Sequence, residues 1–185
     1  MQPEKPKRKF ASKRGPKSKL PQREHAVLMI VSMIASEFFP GGHRAALRRL
    51  DTHNPGGPAF WELLLRYVPE DLRKTRIEES SWALLMKGAA FMAPSTHRQG
   101  ARLGRVLAQI DYKEARLSRL LMHDAERFPD DFLRLCRTLA QKGAAVDWVR
   151  DMGPLVLGNP ETSARRIGKD FYAAHIAGSP AEQIA

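Results

Sequence analysis

A single cysteine, Cys136, stands among 185 residues, so the chain can form no intrachain disulfide and cannot build a cysteine-rich zinc site on its own. A reducing cytoplasm is the expected compartment, and a disulfide-stapled secreted scaffold is excluded. Long apolar runs are missing too. The run AVLMIVSMIASEFF over 26–39 carries Glu37 near its far end and falls short of the roughly 20 residues that a membrane span needs. The basic stretch ahead of it is too long for the leading region of a secretion signal, and no convincing small-residue cleavage site follows. It reads as a buried first helix, with no membrane as partner.

Catalytic signatures are equally scarce. No glycine loop followed by Lys and Ser/Thr, no His-Glu-x-x-His and no clustered Cys/His pattern occurs. GGHR (41–44) and NPGGP (54–58) are turn chemistry. His123 and Asp124 spell the adjacent His-Asp of metal phosphohydrolases, but such a site needs further ligands, and His97, His175 and Asp147 lie in no supporting context. Cys136 falls on an apolar stripe and reads as a small buried hydrophobe rather than a nucleophile. The expectation is a non-enzyme with no cofactor and no metal.

What is abundant is positive charge. The formal net charge is +11 and the isoelectric point about 10.2. Residues 1–24 hold nine Lys or Arg against two acids, which leaves only +4 for 25–185. That stretch is rich in Pro, Lys and Gly and poor in apolar residues, so it is expected to be a disordered basic tail. Most of the excess therefore says nothing about the folded part, whose function has to be argued from where its cations sit.

Beyond residue 24 every segment has helical period, and none sustains the period-two alternation of strands. Helices are expected at 25–39, 42–51, 58–67, 70–93, 100–110, 113–127, 130–141, 147–157 and 160–175. FPGGH (39–43), NPGGP (54–58), APSTHRQG (93–100) and GNPE (158–161) are the breaks, each placing Pro or Gly where a helix stops. Asn159 caps a helix that has Pro160 first, and Asp147 caps one starting at Trp148, which Pro154 then bends or ends near Met152. The fold class is all-α: a helical bundle in two small lobes, 25–93 and 94–178, followed by a flexible terminus over 179–185.

Four successive helices set a basic row beside an apolar one. In RQGARLGRVLAQI, Arg98, Arg102 and Arg105 fall on one side while Leu103, Val106, Leu107 and Ile110 stack on another. Arg116 and Arg119 run beside Leu117, Leu120 and Leu121. Arg134 and Arg137 lie off the stripe Phe132, Leu135, Cys136 and Leu139, and Arg165, Arg166 and Lys169 lie off Ala164, Ile167 and Phe171. One such row alone reads as a solvated face with partners such as Glu114 and Asp130. Across four helices the rows are mostly Arg, whose planar fork suits phosphate oxygens, and backbone contact with nucleic acid becomes an equal reading. Trp61, Trp82, Trp148, Phe91 and Phe171 lie mostly on apolar stripes and read as core rather than stacking platforms.

GARLGRVLAQIDYKEARLSRLL (100–121) resembles the Leu-Gly-Arg segment and following Arg-rich helix of the small subunit, called CasB, of the type I-E CRISPR Cascade complex. HRAALRRLDTHNPGGPAFWELL (43–64) and DDFLRLCRTLAQKGAAVDWVRDM (130–152) resemble its early Arg-rich helix and its Leu-Arg helix with Asp-Trp, in the same order. The resemblance covers about 25–175. It implies an all-α, two-lobed, non-catalytic protein that pairs with a second copy against the Cascade backbone and large subunits. Its basic surface would hold CRISPR RNA and target DNA, as guide-target duplex and displaced strand, and so favour the R-loop in antiviral defence. By motif position, Arg44, Arg48 and Arg49 match the early basic helix, Arg105 the Leu-Gly-Arg, Arg116 and Arg119 the next helix, Arg134 and Arg137 the Leu-Arg helix, and Arg165 and Arg166 the terminal one. The tail over 1–24 has no counterpart in the family pattern, so it is either an added DNA-binding arm or a segment without a role.

The competing class is a free-standing helical DNA-binding regulator, which needs one recognition helix bearing base-reading side chains. Arginines spread over many helices count against it. Deleting 1–24 is expected to leave folding and complex incorporation intact and to weaken only the salt-sensitive part of DNA affinity; loss of incorporation would show that the tail is structural.

Overall fold

The structure, a computed structural model, describes residues 21–178. These form α1 (Gln22–Ala35), α2 (Gly41–Arg48), α3 (Pro58–Tyr67), a 3₁₀ turn (Glu70–Leu72), α4 (Arg76–Met92), α5 (Leu103–Gln109), α6 (Glu114–Leu121), α7 (Phe128–Gln141), a π-helical turn (Trp148–Met152), α8 (Gly153–Leu157) and α9 (Pro160–Gly178). Among the described residues the fold is all-α, as expected. The greater part of the expected basic tail, 1–20, and the terminus 179–185 lie outside the described residues.

Several bounds differ from the sequence reading, each for a local reason. The tail was expected to run to 24, but α1 starts at Gln22, with Pro21 in extended conformation at its N-cap. The helix expected from 70 begins at Arg76, because Thr75 and Glu78 form a reciprocal capping box: Thr75 Oγ1 accepts the Glu78 N–H at 3.2 Å and the Glu78 carboxylate accepts the Thr75 N–H at 2.9 Å. The helix expected over 113–127 stops at Leu121, and His123 turns the chain with φ of 50°. Asp147 caps as expected, accepting the Arg150 N–H at 3.0 Å, and Asn159 accepts the Thr162 N–H at 3.0 Å. Around the expected bend, Pro154 has no N–H to give the Arg150 carbonyl four residues back, and the Arg166 guanidinium donates to that carbonyl.

The helix α4 is the axis of the core. Trp82, Leu85, Met86, Ala89 and Met92 are buried along it, and it packs against α1, α2, α7 and α8. A helix that is apolar on most sides has to be covered on most sides. The other main contact is α5 against α9. Two glycines set how closely these pairs approach. A Cβ on Gly88 would lie 2.7 Å from Phe132 Cε1 and 2.9 Å from Cys136 Sγ, and one on Gly104 would lie 2.2 Å from the Ile167 carbonyl oxygen and 2.7 Å from the Phe171 nitrogen.

The glycine of the Leu-Gly-Arg segment is therefore a packing residue, since backbone cannot rotate away as a side chain can. Gly104→Ala is expected to cost about 3 kcal/mol in urea unfolding, the upper end for overpacking. Gly168→Ala, also in a helix but with Leu121 Cδ1 at 3.5 Å as its nearest neighbour, is expected to be neutral or to gain up to about 1 kcal/mol from helix propensity. Equal behaviour of the two variants would refute the close α5–α9 contact.

Candidate nucleic-acid interface

The expected arginines divide into those spent inside the fold and those left at its surface. Asp151, 1% exposed, accepts the Leu103 N–H at 2.7 Å through one oxygen and Arg166 Nε at 3.1 Å through the other, with Arg150 Nε 3.4 Å away. The carboxylate caps α5 from a segment almost fifty residues away in sequence, taking a helix donor that no local side chain satisfies. Asp170 on α9 extends the cluster, meeting Arg150 at 3.1 Å and Arg102 at 3.3 Å. Burial pushes the Asp151 carboxyl above its ordinary pKa, against the Leu103 N–H and the Arg166 and Arg150 guanidiniums, which pull it down. Arg102 and Arg166 thus join α5, α9 and the π-helical turn.

On the early basic helix two arginines close helix ends. Arg44 donates from Nε to the Ile34 carbonyl at 3.0 Å and from Nη2 to the Ser36 carbonyl at 2.8 Å, at the end of α1, a helix with no basic residue in its own last turn. Arg48 Nε donates to the Ala90 carbonyl at 2.8 Å in the last turn of α4. Both place a cation at the negative end of a helix dipole. Lys87 and Arg73, which no sequence pattern singled out, do the same for the Leu50 and Val68 carbonyls after α2 and α3.

The surface group gathers across α6 and α7. Arg119 makes a bidentate pair with Asp131, Nε and Nη2 each 2.8 Å from a carboxylate oxygen, while its side chain stays 46% exposed. Arg134 Nη1 lies 3.9 Å from the same carboxylate. Arg116, one turn before Arg119, is exposed and its side chain makes no hydrogen bond or ion pair among the described residues. Arg137 follows one turn after Arg134. Two guanidiniums thus share one buried carboxylate, with their forks partly unspent.

Arg165 and Lys169 lie one turn apart on the face of α9 opposite its buried Ile167 and Phe171, and Arg105 lines an open groove with Gln109 of α5 and His175 of α9. Arg49 is exposed just after α2. The side chains of these four likewise find no protein partner among the described residues. The structure brings Arg119 and Arg134 together at Asp131, with Arg116 and Arg137 a turn away on their own helices, and leaves Arg49 at a separate helix end.

The other motifs are accounted for by packing. His123 stacks on Phe128 with ring centroids 3.8 Å apart, Asp124 accepts the Glu126 N–H, and His97 Nδ1 accepts the Trp148 N–H at 3.1 Å. Among the described residues no three of His, Cys, Asp and Glu are placed to hold a metal ion, and no helix is long and apolar enough to cross a membrane. Cys136 is fully buried and burial drives its thiol pKa strongly up, which keeps it protonated and unreactive. Trp82, Trp148 and Phe171 are core, whereas Phe91 is half-buried and Trp61 is 38% exposed.

Removing a buried partner strands the groups it satisfied. Asp151→Ala is expected to cost about 3–5 kcal/mol in urea unfolding, because the Leu103 N–H and Arg166 Nε lose their acceptor and Arg150 loses its ion-pair partner together. Asp124→Ala, at an exposed site facing Arg127 at 4.0 Å, is expected to cost less than about 1 kcal/mol. A small effect of Asp151→Ala would show that the cluster is solvated rather than structural.

The family model described as CRISPR-associated protein Cse2 matches residues 43–172, from the first turn of α2 into the second half of α9. No curated protein and no solved structure matches the chain.

Proposed function

The chain belongs to the family of CRISPR-associated protein Cse2, and on that footing we propose that it is a non-catalytic small subunit of a type I-E Cascade complex. In this reading it works in the cytoplasm, beside the Cascade backbone and large subunits and a second copy of itself. There it holds CRISPR RNA and target DNA by their phosphates and stabilises the R-loop in antiviral defence. The observation that carries the reading is the convergence of Arg119 and Arg134 on Asp131, with the exposed Arg116 one turn before Arg119 on α6. The buried carboxylate orients Arg119 without neutralising the face, so the outer edge of the guanidinium is held ready for a phosphate.

Contacts of this kind fix register and carry affinity but read no sequence, which suits a subunit whose complex reads its target by base pairing. Exchange of a DNA duplex for a guide-target duplex is close to balanced, so a few backbone contacts are enough to tip it. Arg105, Arg165 and Lys169 extend the same chemistry on α5 and α9, and Arg49 at the end of α2. Arg44, Arg48, Arg102 and Arg166 contribute to binding chiefly by holding the helices that present the others.

Each phosphate contact released should lower the slope of log affinity against log salt by about 0.9 for duplex and about 0.7 for single strand. The double variant Arg116→Ala and Arg134→Ala is expected to fold and to enter the reconstituted complex, to lose about two contacts' worth of salt slope, and to form R-loops less readily. Arg66→Ala, which removes one exposed arginine of α3 paired with Glu62, is the control away from this face and is expected to leave both unchanged. Equal effects of the two variants would reduce the α6–α7 face to general charge, and no effect of either would remove it from binding.

A further inference from the structure

Arg137 is held differently from the other exposed arginines of α7. Its guanidinium carbon lies 4.4 Å from the centroid of the Phe91 ring, well within cation–π range. Phe91 sits in the last turn of α4, half-buried and packed against the core, so the ring is a fixed support. The Arg137 side chain is exposed, and its N–H donors meet no acceptor among the described residues.

We propose that Phe91 and Arg137 form a stacking platform that takes one base of single-stranded nucleic acid on the outer face of the guanidinium. The proposal rests on the phosphate-binding reading above and adds a contact to the base. A guanidinium is planar and weakly hydrated, and nucleobases stack on it as they do on aromatic rings. Laying it on a ring that cannot move removes much of the ordering cost that a free arginine would incur on binding. With the face occupied by a base, the unspent N–H edge remains for a neighbouring phosphate, and Arg134 one turn away supplies a second. Bases within a duplex are already stacked on each other, so the ligand is a displaced or unpaired strand. Every base has a π face, so the platform is tolerant of sequence.

The test compares the full chain binding short oligothymidylate with an abasic strand of the same length and charge, at one salt concentration, by fluorescence anisotropy. The wild type is expected to prefer the base-containing strand by roughly five- to tenfold, the lower part of the range for one stacked base. Arg137→Lys keeps the charge and loses the plane, and is expected to abolish that preference, so that the two strands bind alike. Phe91→Leu is expected to reduce the preference in the same direction. Wild type without preference, or a preference that survives Arg137→Lys, overturns the platform while leaving phosphate binding in place. Failure of the wild type to bind either strand overturns the phosphate reading itself, and the platform with it.

Discussion

The buried carboxylate of Asp151 is the constraint on which the arrangement of the later helices depends. A charge this far from water is tolerable only where every oxygen has a partner, and here the partners come from three places: the first N–H of α5, Arg166 on α9 and Arg150 beside it. The short α5 owes its start to this carboxylate, and its crossing with α9 owes its closeness to Gly104. Asp170 closes the cluster from the other side through Arg102 and Arg150. The segment 96–101 is drawn in by the same region, with Asp147 Oδ2 accepting the Gly100 N–H and the Trp148 indole donating to the Thr96 carbonyl.

Once α5, α9 and the π-helical turn are fixed in this way, α6 has a surface to lie on and α7 a surface to meet. Tyr172 of α9 donates to Glu114 at the start of α6, and Asp131 near the start of α7 takes the Arg119 fork. The basic α6–α7 face is thus built on a scaffold whose own interior is ionic. The two parts use one residue type in opposite ways. In the interior cluster Asp151 and Asp170 hold Arg102, Arg150 and Arg166; on the α6–α7 face Asp131 meets Arg119 and Arg134, and Arg116 has no partner among the described residues.

In the proposed reading those open guanidinium edges give the surface its character, since an arginine fork fits phosphate oxygens. The platform at Phe91 and Arg137 fits the same economy of parts, since one exposed arginine meets a phosphate with its edge and a base with its face.

The sequence by itself determined the all-α class, most helix positions, the caps at Asp147 and Asn159 and the family, because 3.6-residue periodicity, turn residues and local caps act over a few neighbours. It also marked many of the arginines that the folded surface presents, among them Arg116, Arg134 and Arg165. It could not separate them by role. Arg44 and Arg48 look like Arg49, and Arg102 and Arg166 look like Arg105 and Arg165, yet the first of each group closes helix ends or meets Asp151 and Asp170 while the second faces solvent. Which arginine is spent depends on carbonyls and carboxylates that are between 5 and 68 residues distant in sequence, and only packing brings those together. The same is true of Gly104, whose need for the absence of a side chain arises from the backbone of α9, and of Phe91, read as core from its stripe but left half-covered for Arg137. Local patterning set the elements; long-range hydrogen bonding and close packing decided which charges remained at the surface.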